Sequence, residues 1–101
     1  MRRQTRFTAV QPATWKRVYE RDGGRCVLCG RSGVLQAAHY IGRAQGGLGR
    51  EKNLVMLCPE CHGEYDQSEH RKEIRPILRE YLQGMYPDWD ENELVYRKGM
   101  E

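Results

Sequence analysis

Four cysteines stand in two Cys-x-x-Cys pairs, Cys26 with Cys29 and Cys58 with Cys61. Two intervening residues let both thiolates of a pair turn toward one point. Two such knuckles complete a tetrahedral four-sulfur site for a structural zinc ion, with Zn–S bonds of about 2.3 Å. Two disulfides would use the same residues but need an oxidising compartment. A redox Cys-x-x-Cys would need a βαβ setting, and no such pattern surrounds these cysteines. Zinc is the favoured reading.

The segment between the knuckles, residues 30–57, is 28 residues long and must hold structure of its own. It carries His39 and Asn53, and His62 follows the second knuckle directly. Each has an ordinary reading when taken singly. A histidine in an apolar strand is most often hydrogen-bonded in a core, and an asparagine is most often a turn former. The order of the three between and after the knuckles is what carries information.

The elements that must position them can be read from periodicity. Residues 1–8 read as a loose basic arm. Residues 12–22 read as a helix, with Pro12 in the first turn, Trp15, Val18 and Tyr19 on one stripe, and Asp22-Gly23-Gly24 as its stop. Val34–Ile41 reads as a strand containing His39. Residues 42–49, with four glycines, read as a flexible loop. Asn53–Leu57 reads as a second strand that ends on the second knuckle. A helix after Pro59 would carry His62, Tyr65 and Asp66. A further helix would cover His70 to Gln83, with Pro76 demanding a kink or restart. Asp90 would cap a last short helix. One domain over 1–101 is expected, with a zinc-stapled core at 25–66 and a helical extension at 68–101.

The stretch Cys26-Val-Leu-Cys-Gly, then Ala-Ala-His39-Tyr-Ile, Gly46-Gly-Leu-Gly, and Asn53-Leu-Val-Met-Leu-Cys-Pro-Glu-Cys-His62 resembles the HNH nucleases, the ββα-metal or His-Me finger group, in their zinc-stapled form. The resemblance implies an α+β fold: a ββα-metal finger with a four-cysteine zinc, flanked by N- and C-terminal helices. It implies a metal-dependent endonuclease that cuts or nicks DNA, leaving 5′-phosphate and 3′-hydroxyl ends. His39 would be the general base, Asn53 would tie the loop and orient that base, and His62 would bind the catalytic cation. Mg2+ is one candidate, and a histidine ligand also suits Mn2+, Ni2+ or Zn2+.

One position departs from the family. An acid or histidine usually precedes the base as the second metal ligand, and here that residue is Ala38. Three outcomes follow. Asp66, four residues beyond His62 on the same helix face, could complete the metal site. His39 could itself be a ligand, with water activated by another group. Or the chain could be a degenerate, non-cutting zinc module that binds nucleic acid or protein. An iron electron carrier held by the same thiolates is a further rival.

Composition sets the frame. Hydrophobic residues make up 39% of the chain, below the ~45–50% usual for soluble domains, so a metal staple would compensate for a thin core. The length of 101 residues excludes large barrels and two-domain enzymes. No apolar run approaches the ~20 residues of a membrane span, and no signal peptide is read. A cytoplasmic setting, in a bacterial cell or a phage-infected host, is therefore expected. The net charge of +3 is unevenly spread: residues 1–31 hold eight Lys/Arg against two acids. Such a front suits DNA. Arg43 and Arg50 beside the glycine-rich loop, with Lys52, Arg25 and the Arg2-Arg3-Arg6 arm, are the expected backbone contacts. The amides of Gly46, Gly47 and Gly49 would approach a phosphate. The family resemblance also implies a phage terminase large subunit as a partner. Either a monomer or a homodimer fits.

Overall fold

The computed structural model describes residues 3–99, with side chains from residue 6 onward. Met1, Arg2, Met100 and Glu101 lie outside the described residues, as does the side chain of Arg3. The chain forms helices α1 (Arg3–Thr8) and α2 (Pro12–Arg21), strands β1 (Gln36–His39) and β2 (Leu54–Leu57), and helices α3 (Pro59–Gln67) and α4 (Arg71–Met85). Short 3-10 turns cover Arg43–Gln45, Glu51–Asn53 and Glu91–Glu93.

The two strands pair antiparallel, with Ala38 opposite Val55 and His39 opposite Leu54. Both α2 and α3 pack on this sheet, and α4 packs on α3. A strand covered on both faces loses its polar alternation, which is why Leu54, Val55, Met56 and Leu57 are all fully buried. With α3 following β2 at once, the two strands and one helix make the ββα-metal fold.

A polar hub fastens α2 to the rest. Asp22 has a fully buried side chain. It accepts from Arg21 Nε at 2.8 Å and from the Met56 amide at 2.9 Å, and the Tyr81 hydroxyl also donates to it. Arg21 in turn donates to the carbonyls of Glu51 at 2.9 Å and Leu54 at 2.6 Å. A buried charge must be paired and hydrogen-bonded, and here the pair joins α2 to β2 and to α4. Asp22 thus does more than end a helix.

Two expectations need correction, and a third is narrowed. The arm at 1–8 is helical over Arg3–Thr8, and the Phe7 carbonyl accepts from the Gly49 amide at 3.0 Å. The glycine-rich loop at 42–49 is tightly packed. A Cβ on Gly47 would lie 1.6 Å from the Ile41 oxygen, and one on Gly49 would lie 2.1 Å from the Ala9 oxygen. The C-terminal segment seals this loop: the Leu48 amide donates to Leu94 at 2.8 Å and the Tyr96 amide to Gly46 at 2.7 Å. Finally, α4 runs through Pro76 without a break. Pro76 lacks the amide that would reach the carbonyl one turn back, and Leu78 and Leu82 beyond it are fully buried. Packing of that apolar face outweighs the lost bond. Asp90 caps the last turn as expected, accepting from the Asn92 amide at 2.9 Å.

Candidate active site and metal centre

The four cysteine sulfurs converge, all lying within 4.8 Å of one another. Cys29 Sγ and Cys58 Sγ are 3.7 Å apart. Tetrahedral bonds of about 2.3 Å would set sulfurs about 3.8 Å apart, so the spacing fits zinc. Backbone geometry fits as well. Gly30 turns with φ +77 and donates to the Cys26 carbonyl at 2.9 Å. The Val27 amide ties the first knuckle to Met56 of β2 at 2.9 Å. Burial opposes ionisation of Cys26, but amides of Cys29, Cys58 and Leu28 overcome it and pull the thiol down to about 7. Burial and the neighbouring sulfurs push Cys61 up instead. Without a cation the quartet cannot ionise together; a dication removes that conflict. Among the described residues, no other three His, Cys, Asp or Glu side chains converge in this way.

His39 closes β1 and is half-buried. Its Nε2 lies 2.8 Å from the Thr8 carbonyl oxygen. A carbonyl can only accept, so Nε2 carries the proton and Nδ1 keeps its lone pair. Burial holds the imidazole below its ordinary value, with Arg43 and His62 acting in the same sense and the Thr8 carbonyl and Asp66 opposing. His39 is therefore neutral and basic at Nδ1 near neutral pH.

Asn53 is fully buried. Its Oδ1 accepts from the Ile41 amide at 2.8 Å, and its Nδ2 donates to the carbonyls of Ile41 at 3.1 Å and Leu48 at 2.9 Å. These bonds bridge both ends of the loop that follows His39.

His62 sits in the first turns of α3. Its Nδ1 is 2.6 Å from Gln36 Oε1, and its Nε2 is 3.1 Å from Asp66 Oδ2. The Nδ1 proton donates to the Gln36 amide oxygen, which leaves Nε2 facing a carboxylate. Two acceptors at that distance need a proton or a cation between them. Ala38 is fully buried and has no ligand atom. His39, His62 and Asp66 do not meet at one point, so His39 is not brought into a shared ligand set with the other two.

The expected DNA contacts divide. Arg43 lines a cavity of about 670 Å³ that includes Asp66. Arg50 and Lys52 line a different one, of about 450 Å³. Lys52 pairs with Asp88 at 2.8 Å, and Arg25 donates to the Gly30 carbonyl at 3.2 Å. Among the described residues, three of the eight bases of the basic front are ion-paired within the fold: Arg17 with Glu51, Arg21 with Asp22, and Arg31 with Glu60. The amides of Gly46, Gly47 and Gly49 donate to Arg43, Gly42 and Phe7 rather than facing outward. Sequence reasoning missed Thr8 and Gln36. Gln36 interrupts an otherwise apolar run, and that break was a usable signal; nothing local marks Thr8.

These features agree with the comparisons. A family model described as HNH endonuclease matches residues 26–68. The chain is 30% identical over 70 residues to the type IV methyl-directed restriction enzyme EcoKMcrA of Escherichia coli (strain K12), covering 60% of this chain and 25% of that protein. It is 28% identical over 60 residues to anaredoxin of Nostoc sp. (strain PCC 7120 / SAG 25.82 / UTEX 2576), covering 58% of this chain and 79% of that protein. The chain thus spans a quarter of the restriction enzyme it matches. Over residues 26–68 the chain is similar to the HNH endonuclease family.

Proposed function

We propose that the chain is a metal-dependent endonuclease that hydrolyses DNA phosphodiester bonds, with His39 as general base and His62 and Asp66 holding the catalytic cation. One observation carries this reading: His62 Nε2 and Asp66 Oδ2 stand 3.1 Å apart with the Nδ1 proton already engaged by Gln36. Two ligand atoms bound at about 2.1 Å and at right angles are about 3.0 Å apart. A metal-binding histidine characteristically donates its other N–H to an oxygen, the role Gln36 fills. Asp66 thereby makes up for Ala38.

A divalent cation there supplies charge stabilisation to the phosphate and to the departing 3′ oxygen. His39 Nδ1 takes a proton from the attacking water. The water oxygen bonds to phosphorus, the bond to the 3′ oxygen breaks with its electron pair on oxygen, and that oxygen takes a proton from solvent water, giving a 5′-phosphate and a 3′-hydroxyl. Asn53 and Thr8 orient the base without touching substrate. One copy of the chain would nick, and concerted cutting of both strands would take two. Asp66→Ala tests the assignment: the cation concentration for half-maximal nicking should rise at least tenfold, since even outer-shell metal partners cost 10–100-fold. An unchanged cation dependence would remove Asp66 from the site.

The converging four sulfurs also fit one further reading, an iron centre on the four thiolates. Native mass spectrometry separates the two. One tightly held zinc and no visible absorbance support the nuclease fold; iron with charge-transfer colour supports the rival.

A further inference from the structure

The cavity that includes Asp66, the ion-pair partner of His62, has one wall from α4, outside residues 26–68. It lies between the segment after β1 and the start of α4. Arg43 lines it from the loop, Arg71 and Arg75 line it from α4, and Asp66 is shared with the proposed cation site. Three arginines and one acid therefore line it.

The two α4 arginines are held ready. They stand one helical turn apart, on one face. The Arg71 guanidinium lies 4.4 Å over the Tyr65 ring, and that of Arg75 lies 4.9 Å over the Tyr40 ring. Both tyrosines are fully buried, so these platforms are fixed. Arg71 uses an N–H on the Tyr65 carbonyl at 3.2 Å, and Arg75 uses one on the Tyr40 hydroxyl at 3.3 Å. Each also makes a long ion pair, Arg71 with Asp66 at 3.9 Å and Arg75 with Glu91 at 4.0 Å, beyond hydrogen-bond distance. Arg79, one turn further on, holds Glu91 at 3.2 Å. A guanidinium has five donors, and a stacked one with open N–H edges matches the oxygens of a phosphate.

We propose that Arg43, Arg71 and Arg75 form a binding site for the DNA backbone phosphate next to the one hydrolysed, so that α4 sets the register of the strand on the catalytic residues. The location rests on the nuclease reading, because the groove and the cation site share Asp66. The recognition chemistry is that of any phosphate; the shared wall is what assigns it to a strand that also reaches His39.

Binding can be read without cutting. The probe is a labelled duplex, measured by fluorescence anisotropy across a salt series, with the His39→Ala protein and no added divalent cation. Arg71→Ala and Arg75→Ala should each weaken binding about tenfold, the scale of a hydrogen bond to a charged group. Each should also lower the slope of log affinity against log salt by about 0.9, the loss of one phosphate contact. Arg79→Ala removes the same charge from the same helix and should leave the slope unchanged. Arg71→Lys and Arg75→Lys should restore the slope but not the full affinity. If the Arg71 and Arg75 variants keep the parent slope, the proposal is overturned, even where affinity falls, since that pattern means loss of structure. Complete displacement of the duplex by inorganic phosphate would overturn it as well, by marking a free-phosphate site. A changed slope in a protein that never cuts would sink the nuclease reading and keep the phosphate site. Cutting with an unchanged slope would do the reverse.

Discussion

The Thr8 carbonyl oxygen lies 2.8 Å from His39 Nε2, joining two residues 31 positions apart. This bond sets the tautomer of the proposed base, and its acceptor comes from α1, outside the stretch 26–68 matched by the family model. Gly49 makes the approach possible, since a Cβ there would lie 2.1 Å from the Ala9 oxygen and 2.9 Å from the Thr8 oxygen.

Gly49→Ala should therefore push the end of α1 away and free the His39 ring. A misplacement of about 1 Å at a reacting group costs on the order of 100-fold in rate. Steady-state nicking should show kcat falling on that scale while zinc content stays at one per chain. A fall in KM alone would detach Thr8 from catalysis.

Burial holds His39 below the ordinary histidine value of 6.5, aided by Arg43 and His62 against the Thr8 carbonyl and Asp66. The base works in its neutral form, so the rate should fall as pH drops through the folded value. The acid limb of the kcat profile should thus lie below 6.5. A cation on Asp66 moves it in the same direction. Arg43→Gln removes one lowering influence and should carry the limb upward, toward 6.5. A limb above 6.5 in the parent protein would contradict the assignment.

Asn53→Ala leaves the Ile41 amide and the carbonyls of Ile41 and Leu48 without their side-chain partner. Losing a buried polar partner costs roughly 1–3 kcal/mol per group left unsatisfied, so urea denaturation should show a loss of about 3 kcal/mol. A change within a few tenths would mean water replaces the amide, and that Asn53 does not hold the loop.

Local signals made part of this legible in the sequence. The Cys-x-x-Cys spacing predicts the sulfur cluster because a knuckle is a short-range structure. The apolar run Leu54–Leu57 predicts a covered strand, and the pair His62 and Asp66 is a one-turn relationship on α3. What stayed hidden depends on chain segments meeting from afar. Nothing near Thr8 announces a histidine partner, and at Gln36 the one local mark is a polar residue in an apolar run. Arg71 and Arg75 carry no motif and become a groove only when α4 packs on α3. The glycines after β1 looked like freedom for a ligand, yet Gly47 and Gly49 are demanded by the backbone that crosses them.

The central claim is tested most directly by nicking of supercoiled plasmid by the parent protein and His39→Ala, with Mg2+, Mn2+, Ni2+ or Zn2+ supplied in turn. The account predicts conversion to open circles by the parent with at least one cation. Removing the base should slow this by about 100–10,000-fold, the range of general base catalysis. If no cation yields cleavage above the His39→Ala protein, the chain is not the nuclease described.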